Sequence, residues 1–253
     1  MYIILGASGH VGSVVAETLL NEGQQVTIIT RDEKKTEFWK QKGATVAIAD
    51  VHDVKTLNQV FRRGKRLFLL NPPAAPGSDT AVEERKTVDK ILEALDNSGL
   101  DSIVAQSTYG AQPGNQLGDL GVLYDMEQLL EKKPFPVSII RAAYYMSNWE
   151  ASLLSARKEG IVNTLYPVDF KLPMVAPADM GRFAAKILMQ PADGNRIYNI
   201  EGPQMYSAQE VAAGFQKVLN RDVKAVETPR ENWIETLEKK SASPIRQLSL
   251  WLI

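Results

Sequence analysis

The glycine turn near the start of the chain constrains the fold more than any other feature. The opening "MYIILGASGHVG" runs from an apolar segment, Tyr2 to Leu5, into three glycines spaced three residues apart, Gly6, Gly9 and Gly12. The stretch that follows at once, "SVVAETLLNEG", has helical periodicity. An apolar run that meets glycine and then a 3.6-residue pattern predicts a strand, a tight turn and a helix.

The same alternation continues through the first half of the chain. Short apolar runs predict six strands: "YIILG", "QVTIIT", "ATVAIAD", "RLFLL", "DSIVAQS" and "PVSIIRA". Helical patterns separate them, among them "DEKKTEFWKQKG", a long helix from about Thr80 to Asn97 and one around Leu120 to Lys132. Strands joined by helical crossovers form a parallel sheet covered on both faces. We therefore predict an α/β fold with a doubly wound parallel sheet, whose ligands bind at the carboxyl ends of the strands.

The regular alternation fades after Arg141-Ala142, which predicts a second, smaller part of the chain. We expect a nucleotide-binding core over residues 1–142. Residues 143–253 are expected to form mostly a smaller substrate-binding lobe, part of which returns to the sheet through the strand "NRIYNIEG". "NWEASLLSARKEG" reads as helical, and "YSAQEVAAGFQKVLN" predicts a helix with Ser207 as N-cap and Glu210 closing a capping box. The apolar end "LSLWLI" could be buried, disordered or paired with another chain, and it favours a homodimer or a docking surface.

Composition excludes several classes of function. The net charge of −1 supplies no basic stripe for nucleic acid, and we expect no nucleic-acid partner. Because cysteine is absent and His10 and His52 are the only imidazoles, we expect no disulfide, no thiol nucleophile and no metal site. There is no apolar run of about 18 residues and no signal-like start, so we predict a cytoplasmic protein that does not enter a membrane.

The glycine turn has the position and the chemistry of a dinucleotide site. Gly6 permits the tight turn, Gly9 lets backbone approach a pyrophosphate, and Gly12 lets the helix pack closely on the strand. The helix N-terminus then offers N–H groups and partial positive charge to phosphates, and Ser8 can add a hydroxyl. The residues expected to bind the cofactor are Gly6, Ser8, Gly9, His10, Val11, Gly12, Arg31, Asp50, Val51, Asn71, Pro72 and Ser107.

The end of the second strand discriminates between cofactors. An NAD site has an acidic residue there for the ribose 2′-hydroxyl, whereas this chain has Arg31, whose guanidinium suits a 2′-phosphate. Asp32 comes one step later, where it caps the next helix. We therefore predict NADP(H) rather than NAD(H). Asp50 lies either against the adenine or at the cap of a helix that begins near Asp53, and Asn71-Pro72 lies where ribose and phosphates would pass.

Six segments carry a resemblance to a known family: "GASGHVG", "ITR", "ADVHD", "FLLNPP", "DMEQLLEKKPFPVSIIRAAYYMSNW" and "PADMGRFAAKIL". In their order and spacing, from residue 1 to about 215, the chain resembles the NmrA-like branch of the atypical short-chain dehydrogenases/reductases. The resemblance implies a Rossmann core, a preference for NADP(H) and a small C-terminal substrate lobe. Members range from NADPH-dependent quinone reductases and reductases of plant phenolics to redox-sensing regulators that bind the cofactor without turnover.

The chain departs from that superfamily at its usual catalytic pair. In the Tyr-x-x-x-Lys signature the lysine lowers the pKa of the tyrosine, which transfers the proton that accompanies the hydride. Matching Glu127 to the family's glutamate puts Leu123 at the lysine position and Asp119 at the tyrosine position. Sliding to Tyr124 instead puts Gln128 where lysine belongs. The pair is absent in both registers, which also disfavours a sugar-nucleotide epimerase.

Two functions follow from this departure. The first is an NADPH-dependent oxidoreductase that gives hydride to a small quinone-like or enone acceptor needing little proton help. Ser107 and Thr108 could donate a hydrogen bond to its carbonyl; weak catalytic candidates are Ser107, Tyr109 and Asn148, and the residues expected to hold the acceptor are Tyr109, Tyr144, Tyr145, Asn148 and Trp149. Each aromatic residue has a plainer alternative as part of the core. The second function is a non-catalytic NADP(H) sensor that acts through a protein partner.

Overall fold

The computed structural model describes residues 1–75 and 77–236, and the chain divides into two compact units. The first unit comprises Met1–Ala142 and Pro177–Ile200, and the second comprises Ala143–Ala176 and the chain from Glu201 onwards. The apolar end "LSLWLI" lies outside the described residues, so the expectations about it stay predictions.

As far as Ala142, the strands and helices follow one another in the alternation that the sequence predicts, and further strands and helices follow in the rest of the described residues. The strands are β1 (Tyr2–Leu5), β2 (Val26–Thr30), β3 (Thr45–Ile48), β4 (Arg66–Leu69), β5 (Ser102–Thr108), β6 (Val137–Ala142), β7 (Tyr144–Tyr145), β8 (Ile161–Thr164), β9 (Leu172–Val175), β10 (Arg196–Ile200), β11 (Met205–Tyr206) and β12 (Lys224–Glu227). The α-helices are α1 (His10–Asn21), α2 (Thr36–Gln41), α3 (Val54–Phe61), α4 (Thr80–Ala94), α5 (Asp119–Glu131), α6 (Leu153–Lys158), α7 (Pro177–Met189) and α8 (Ala208–Leu219). Short 3₁₀ helices span Glu33–Lys35, Met146–Ser152 and Arg230–Asn232.

A seven-stranded parallel sheet forms the centre of the first unit, in the order β10-β6-β5-β4-β1-β2-β3. Chain order reverses between β1 and β4, so the carboxyl ends of these two strands flank the switch point of a Rossmann fold. The strands are buried because both faces are covered: α1 packs on α7, and α3, α4 and α5 pack in series. The α/β prediction with a doubly wound sheet is confirmed.

Close packing of α1 against α7 depends on a small residue. A Cβ atom added to Gly181 on α7 would lie 2.7 Å from the Val14 side chain and 2.9 Å from the carbonyl oxygen of Val11, both on α1. The two backbones approach more closely there than any side chain allows. This contact holds α7 on the sheet although it is distant from α1 in sequence.

The second unit has its own small core and two small sheets. One sheet has the order β11-β9-β7, and the other pairs β12 with β8. Trp149, Val162 and Met174 are buried in this core together with small residues of α6 and α8. The predicted capping box at the start of α8 is confirmed, because Ser207 accepts from the Glu210 backbone while the Glu210 carboxylate accepts from the Ser207 backbone.

Three predicted helices differ from the observed ones. "DEKKTEFWKQKG" is a 3₁₀ turn over Glu33–Lys35 followed by α2, and Asp32 caps it as predicted by accepting from the Lys34 backbone. "NWEASLLSARKEG" begins as the 3₁₀ helix Met146–Ser152 before α6. The helix α4 stops three residues before the predicted Asn97, because Asn97 has a left-handed conformation (φ 53°) that cannot continue a right-handed helix.

Candidate functional site

The glycine turn connects β1 to α1 by close contacts between backbone atoms. Gly6 has a left-handed conformation (φ 89°), and its carbonyl oxygen accepts a hydrogen bond of 3.0 Å from the Gly9 backbone. A Cβ atom added to Gly12 would lie 2.3 Å from that same oxygen, so only glycine lets α1 approach the turn this closely. A Cβ atom added to Gly9 would meet only the Gly6 oxygen, at an ordinary 3.5 Å. Gly12 is therefore required for the packing of α1 against the turn. At Gly9, by contrast, the absence of a side chain leaves open space beside the N-terminus of α1.

The N-terminus of α1 is open to an anion. Its N-cap is Gly9, which offers no capping side chain, and its first turn contains no acidic residue. Ser8 and His10 on either side are exposed, and Val11 is buried. The N–H groups of the first turn and the positive end of the helix dipole are thus free to receive phosphate oxygens.

Arg31 and Asp50 follow the neighbouring strands β2 and β3 at the same edge of the sheet. The Arg31 Nη1 lies 3.8 Å from Asp50 Oδ2, and the two side chains are 70% and 46% exposed. A long, exposed ion pair contributes little, so the guanidinium remains available. Of the two alternatives for Asp50, the helix cap is wrong: Asp53 caps α3 by accepting from Thr56, while Asp50 accepts from the His52 backbone at 2.8 Å. Val51 is buried beside it.

Asn71 lies just beyond β4, at the switch point. Its neighbour Leu70 packs against Gly6, whose added Cβ would lie 3.1 Å from the Leu70 side chain. Asn71 is 6% exposed; its Nδ2 donates to the Glu84 carbonyl at 3.4 Å, and its Oδ1 is buried without a donor among the described residues. An unsatisfied buried acceptor is costly, and a ligand hydroxyl would satisfy this one. Pro72 is half-buried next to it.

Ser107, at the end of β5, belongs to a buried ionic network. Its hydroxyl donates to Glu127 Oε1 on α5, and the Glu127 carboxylate also accepts from Arg141 on β6, at 3.0 Å from Nε and 2.5 Å from Nη2. This carboxylate raises the pKa of Arg141 further above its ordinary value. Because a hydroxyl has one proton, Ser107 can only accept from a ligand.

The expectation that Ser107 and Thr108 donate to an acceptor carbonyl is therefore not met. The Ser107 hydroxyl donates to Glu127, and the Thr108 hydroxyl donates to the Tyr109 carbonyl at 3.2 Å. Sequence reasoning used Glu127 only to set a register and gave Arg141 no role. A glutamate on α5 followed by an arginine on the next strand is the signal that could have revealed the network.

A second buried carboxyl group was missed as well. Glu84 on α4 is 4% exposed, and Asp119, the first residue of α5, lies near enough for its charge to act on the Glu84 carboxyl group. Burial raises the pKa of Glu84 to about 7, opposed by the Ala74 backbone N–H and assisted by Asp119. Burial also raises the pKa of Asp119 above its usual range. No local pattern marks such a pair, because its two members are distant in sequence.

The predicted acceptor residues are divided between the units. Tyr109 lies in the first unit, directly after β5, where its backbone N–H donates to Ala142 at 2.9 Å. The other four lie in the second unit: Tyr144, Tyr145, Asn148 and Trp149. Trp149 packs in the core of that unit, with its ring 5.9 Å from that of Tyr144 and its Nε1 buried without an acceptor among the described residues. The roles of these residues stay predictions.

Three tyrosines of the second unit, Tyr144, Tyr145 and Tyr166, are neutral hydrogen-bonding groups. Burial raises the pKa of Tyr144 and Tyr145 well above the usual range, and a hydrogen bond with Asn148 acts in the opposite direction on Tyr144. Burial raises the pKa of Tyr166 too. At neutral pH these phenols keep their protons, so they can donate hydrogen bonds but do not act as bases.

Over 1–75 and 77–236, no three His, Cys, Asp or Glu side chains are grouped so that they could hold a metal ion. None of the helices in the same ranges combines the length and the apolar character needed to cross a bilayer.

Comparisons with known proteins agree with this geometry. Quinone oxidoreductase 2 of Escherichia coli (strain K12) is 24% identical over 226 residues, covering 88% of this chain and 76% of that protein. The crystal structure of an NADPH-dependent quinone oxidoreductase from Escherichia coli, complexed with NADPH, superimposes with a TM-score of 0.83 at 21% identity over 98% of this chain and 87% of that one. Triphenylmethane reductase from Citrobacter sp., complexed with NADP(H), superimposes with a TM-score of 0.83 at 17% identity over 97% and 85%.

The family assignment rests on a match over nearly the whole chain rather than on these individual similarities. The model of the NmrA-like family matches residues 2–251, which include the glycine turn, the sheet and the second unit. The chain belongs to the NmrA-like family.

Proposed function

We propose that this protein is an NADPH-dependent oxidoreductase that transfers a hydride to a small quinone-like or enone acceptor. The observation that carries the proposal is the open N-terminus of α1, with side-chain-free Gly9 at its cap, beside the switch point of the sheet. This is where a Rossmann fold receives a pyrophosphate. The quinone and dye reductases to which the chain is similar support the reaction class.

The residues at this edge fit a dinucleotide. The N–H groups of the first turn of α1 would hold the pyrophosphate, and Asn71 Oδ1 would accept from a ribose hydroxyl. Arg31 would take the 2′-phosphate, since its pairing with Asp50 is long and exposed. When bound, the dihydronicotinamide supplies the hydride. Ser107, restricted to accepting, suits an N–H or O–H donor of the cofactor better than a carbonyl of the acceptor.

The acceptor would be held by neutral hydrogen-bonding groups and aromatic rings. Tyr109, Tyr144, Tyr145 and Asn148 are proposed for this role. The phenols of Tyr144 and Tyr145 keep their protons, and a protonated phenol can donate to a carbonyl oxygen as it gains charge. Trp149 contributes by fixing the Tyr144 ring from the core. A planar acceptor such as a quinone or an activated alkene would stack on an aromatic ring and accept from a phenol or an amide N–H.

A direct assay tests the reaction class. Pure protein is mixed with NADPH and a panel of quinones and enones, and the loss of dihydronicotinamide absorbance is followed. We expect oxidation above the enzyme-free blank for at least one acceptor, with NADPH used better than NADH. Lack of turnover across the panel would contradict the proposal.

Replacing Arg31 by alanine tests the cofactor preference. We expect Arg31→Ala to weaken NADPH binding by roughly 1–3 kcal/mol, the usual loss for a charged hydrogen bond, and to leave NADH binding nearly unchanged. Calorimetric titration with both cofactors measures the difference. Lys34→Ala, in the same exposed turn, is the matched control, and an equal loss for both cofactors would show that Arg31 does not contact the phosphate.

A second candidate function is a cofactor sensor that acts through a protein partner. It is favoured by one observation: the hydroxyls of Ser107 and Thr108 already donate within the chain, so neither is available to assist an acceptor. A sensor would bind NADPH and NADP⁺ with different affinities and would show no turnover in the same assay. The cytoplasmic location, a homodimer and a protein partner stay predictions.

A further inference from the structure

Residues 71–74, here called the post-β4 segment, are held to α4 by Glu84. At one end of the segment the Asn71 Nδ2 donates to the Glu84 carbonyl oxygen at 3.4 Å. At the other end the Ala74 backbone N–H donates to Glu84 Oε1 at 3.0 Å. Pro72 and Pro73 lie between these two ends and have no N–H to donate, so the segment depends on the hydrogen bonds at its ends.

The post-β4 segment borders the glycine turn. It follows β4, which is the neighbour of β1 in the sheet at the switch point. Leu70, the residue before the segment, packs against the turn, because a Cβ atom added to Gly6 would lie 3.1 Å from its side chain. The Gly6 carbonyl in turn accepts from Gly9, the N-cap of α1. Asn71 is therefore one residue away from a direct contact with the turn.

Burial of the Glu84 carboxyl group is unfavourable for the fold. The residue is 4% exposed, and in the described part of the chain it has no basic partner within ion-pair distance. The two basic residues that follow it along α4, Arg85 and Lys86, are paired with other carboxylates. Burial raises the pKa of Glu84 to about 7, and the charge of Asp119 also raises it. Because a carboxyl group taken out of water without a cation lowers stability, Glu84 is expected to serve something other than stability.

The contact with Glu84 also orients the Asn71 amide. The Nδ2 end is taken by the Glu84 carbonyl, and the Oδ1 at the other end is buried without a donor among residues 1–75 and 77–236. Rotation of the amide by half a turn would set its oxygen against the Glu84 carbonyl oxygen, so that two acceptors would face each other. Glu84 thus determines that the unpaired atom of Asn71 is an acceptor, which suits a ligand hydroxyl.

We propose that Glu84 is a positioning residue for the cofactor: it fixes the post-β4 segment on α4 so that Asn71 presents its amide oxygen to a ribose hydroxyl. The proposal rests on the proposed function, because it requires a dinucleotide at the switch point. Glu84 acts through Asn71 and Ala74 and not by touching the cofactor. A segment that is already ordered loses less conformational freedom when the cofactor binds, and this ordering raises the affinity.

Replacement of Glu84 by methionine tests the proposal. Methionine is similar in length and apolar, and it has no oxygen to accept from the Ala74 N–H. We expect Glu84→Met to weaken NADPH binding by about 10-fold or more, which is the usual value of a hydrogen bond to a charged acceptor. The urea midpoint should stay the same or rise, because a buried carboxyl group has been removed. Calorimetric titration and urea denaturation measure the two quantities, and a residue that only stabilises the fold would lower the midpoint.

Glu84→Gln is the conservative variant that should restore binding. It keeps an oxygen that can accept from Ala74, and it should bind NADPH within about threefold of the unmodified protein. Glu83→Met is the matched control, since it makes the same change at the preceding residue of α4, in an exposed ion pair with Lys86. It should alter neither the affinity nor the midpoint.

Hydrogen exchange at the Ala74 amide gives a readout that needs no cofactor. The N–H is held by Glu84 Oε1, so it should exchange roughly 10-fold faster in Glu84→Met than in the unmodified protein. Glu84→Gln should keep most of the protection. An exchange rate that is the same in all three proteins would show that Glu84 does not hold the segment, and it would overturn the proposal.

The outcomes separate this proposal from the proposed function. If Glu84→Met binds NADPH as tightly as the unmodified protein, the positioning role is overturned while the oxidoreductase function stands. The same holds if Glu84→Met fails to fold or loses affinity only together with stability, because a structural role then explains the result. If the unmodified protein binds NADPH but oxidises it with none of the acceptors, the oxidoreductase function falls, and the affinities still decide the positioning role. If it does not bind NADPH, both proposals fall.

Discussion

Gly9→Val is expected to abolish the binding of both nicotinamide cofactors without disturbing the fold. Gly9 has extended backbone angles (φ −96°, ψ 173°) that any residue adopts, and a Cβ atom there meets only one atom, at 3.5 Å. The unfolding free energy should therefore change by less than about 1 kcal/mol. The side chain would occupy the space over the N-terminus of α1, where charged hydrogen bonds are worth about 1.5–3 kcal/mol each, so affinity should fall by more than roughly 100-fold.

Gly12→Ala is the contrasting variant of the same turn. Its Cβ atom would lie 2.3 Å from the Gly6 oxygen and 2.6 Å from the Gly6 carbonyl carbon, both backbone atoms that cannot rotate away. We expect a loss of about 3 kcal/mol or more in unfolding free energy, at the upper end of overpacking effects. Chemical denaturation and calorimetric titration measure both quantities. A destabilised Gly9→Val with a stable Gly12→Ala would contradict the assignment of a binding role to one glycine and a packing role to the other.

Arg141→Met is expected to lower the free energy of unfolding of the first unit by about 3–5 kcal/mol. Glu127 is almost wholly buried, and Arg141 provides it with two hydrogen bonds, at 3.0 and 2.5 Å. Removal of the guanidinium leaves a buried carboxylate to which, among the described residues, only Ser107 still donates. An unpaired buried charge is expensive, whereas the intact pair itself adds little net stability. Urea denaturation of the variant and the unmodified protein measures the loss.

Two further variants help to interpret the loss of stability in Arg141→Met. Arg196→Met makes the same change in an exposed ion pair with Asp193 and should cost less than about 1 kcal/mol. Combining Arg141→Met with Glu127→Leu should recover most of the stability, because no buried charge then remains unpaired. A double variant as unstable as Arg141→Met alone would mean that the arginine acts through packing of its stem instead.

Most of the first unit could be predicted from its sequence because its signals are local. The apolar runs and helical patterns place the strands and helices, and Gly6, Gly9 and Gly12 mark the turn, since backbone geometry there restricts the residue type. Helix ends were less predictable. The stop of α4 before Asn97 depends on one left-handed residue, and asparagine only permits that conformation without requiring it.

The polar groups of the site could not be predicted in the same way. Whether Ser107 donates to a ligand or to Glu127 depends on which side chain of α5 lies under β5. Whether Asp50 or Asp53 caps α3 depends on a turn of three residues, in which both aspartates bind backbone N–H groups. In each case the competing partners are chemically equivalent in the sequence, and only distance separates them.

The sequence by itself determined the order of strands and helices as far as Ala142, the glycine turn and the position of Arg31 after β2, because each depends on neighbours in the chain. Tertiary structure decided what the buried charges do. It brought Arg141 to Glu127 and Glu84 to Asp119 from elements far apart in the chain, and it left Asn71 with an acceptor that no described residue satisfies. The pKa of a carboxyl group changes when folding removes water from it and supplies a partner. The local sequence indicates neither the burial of the group nor the partner that it meets.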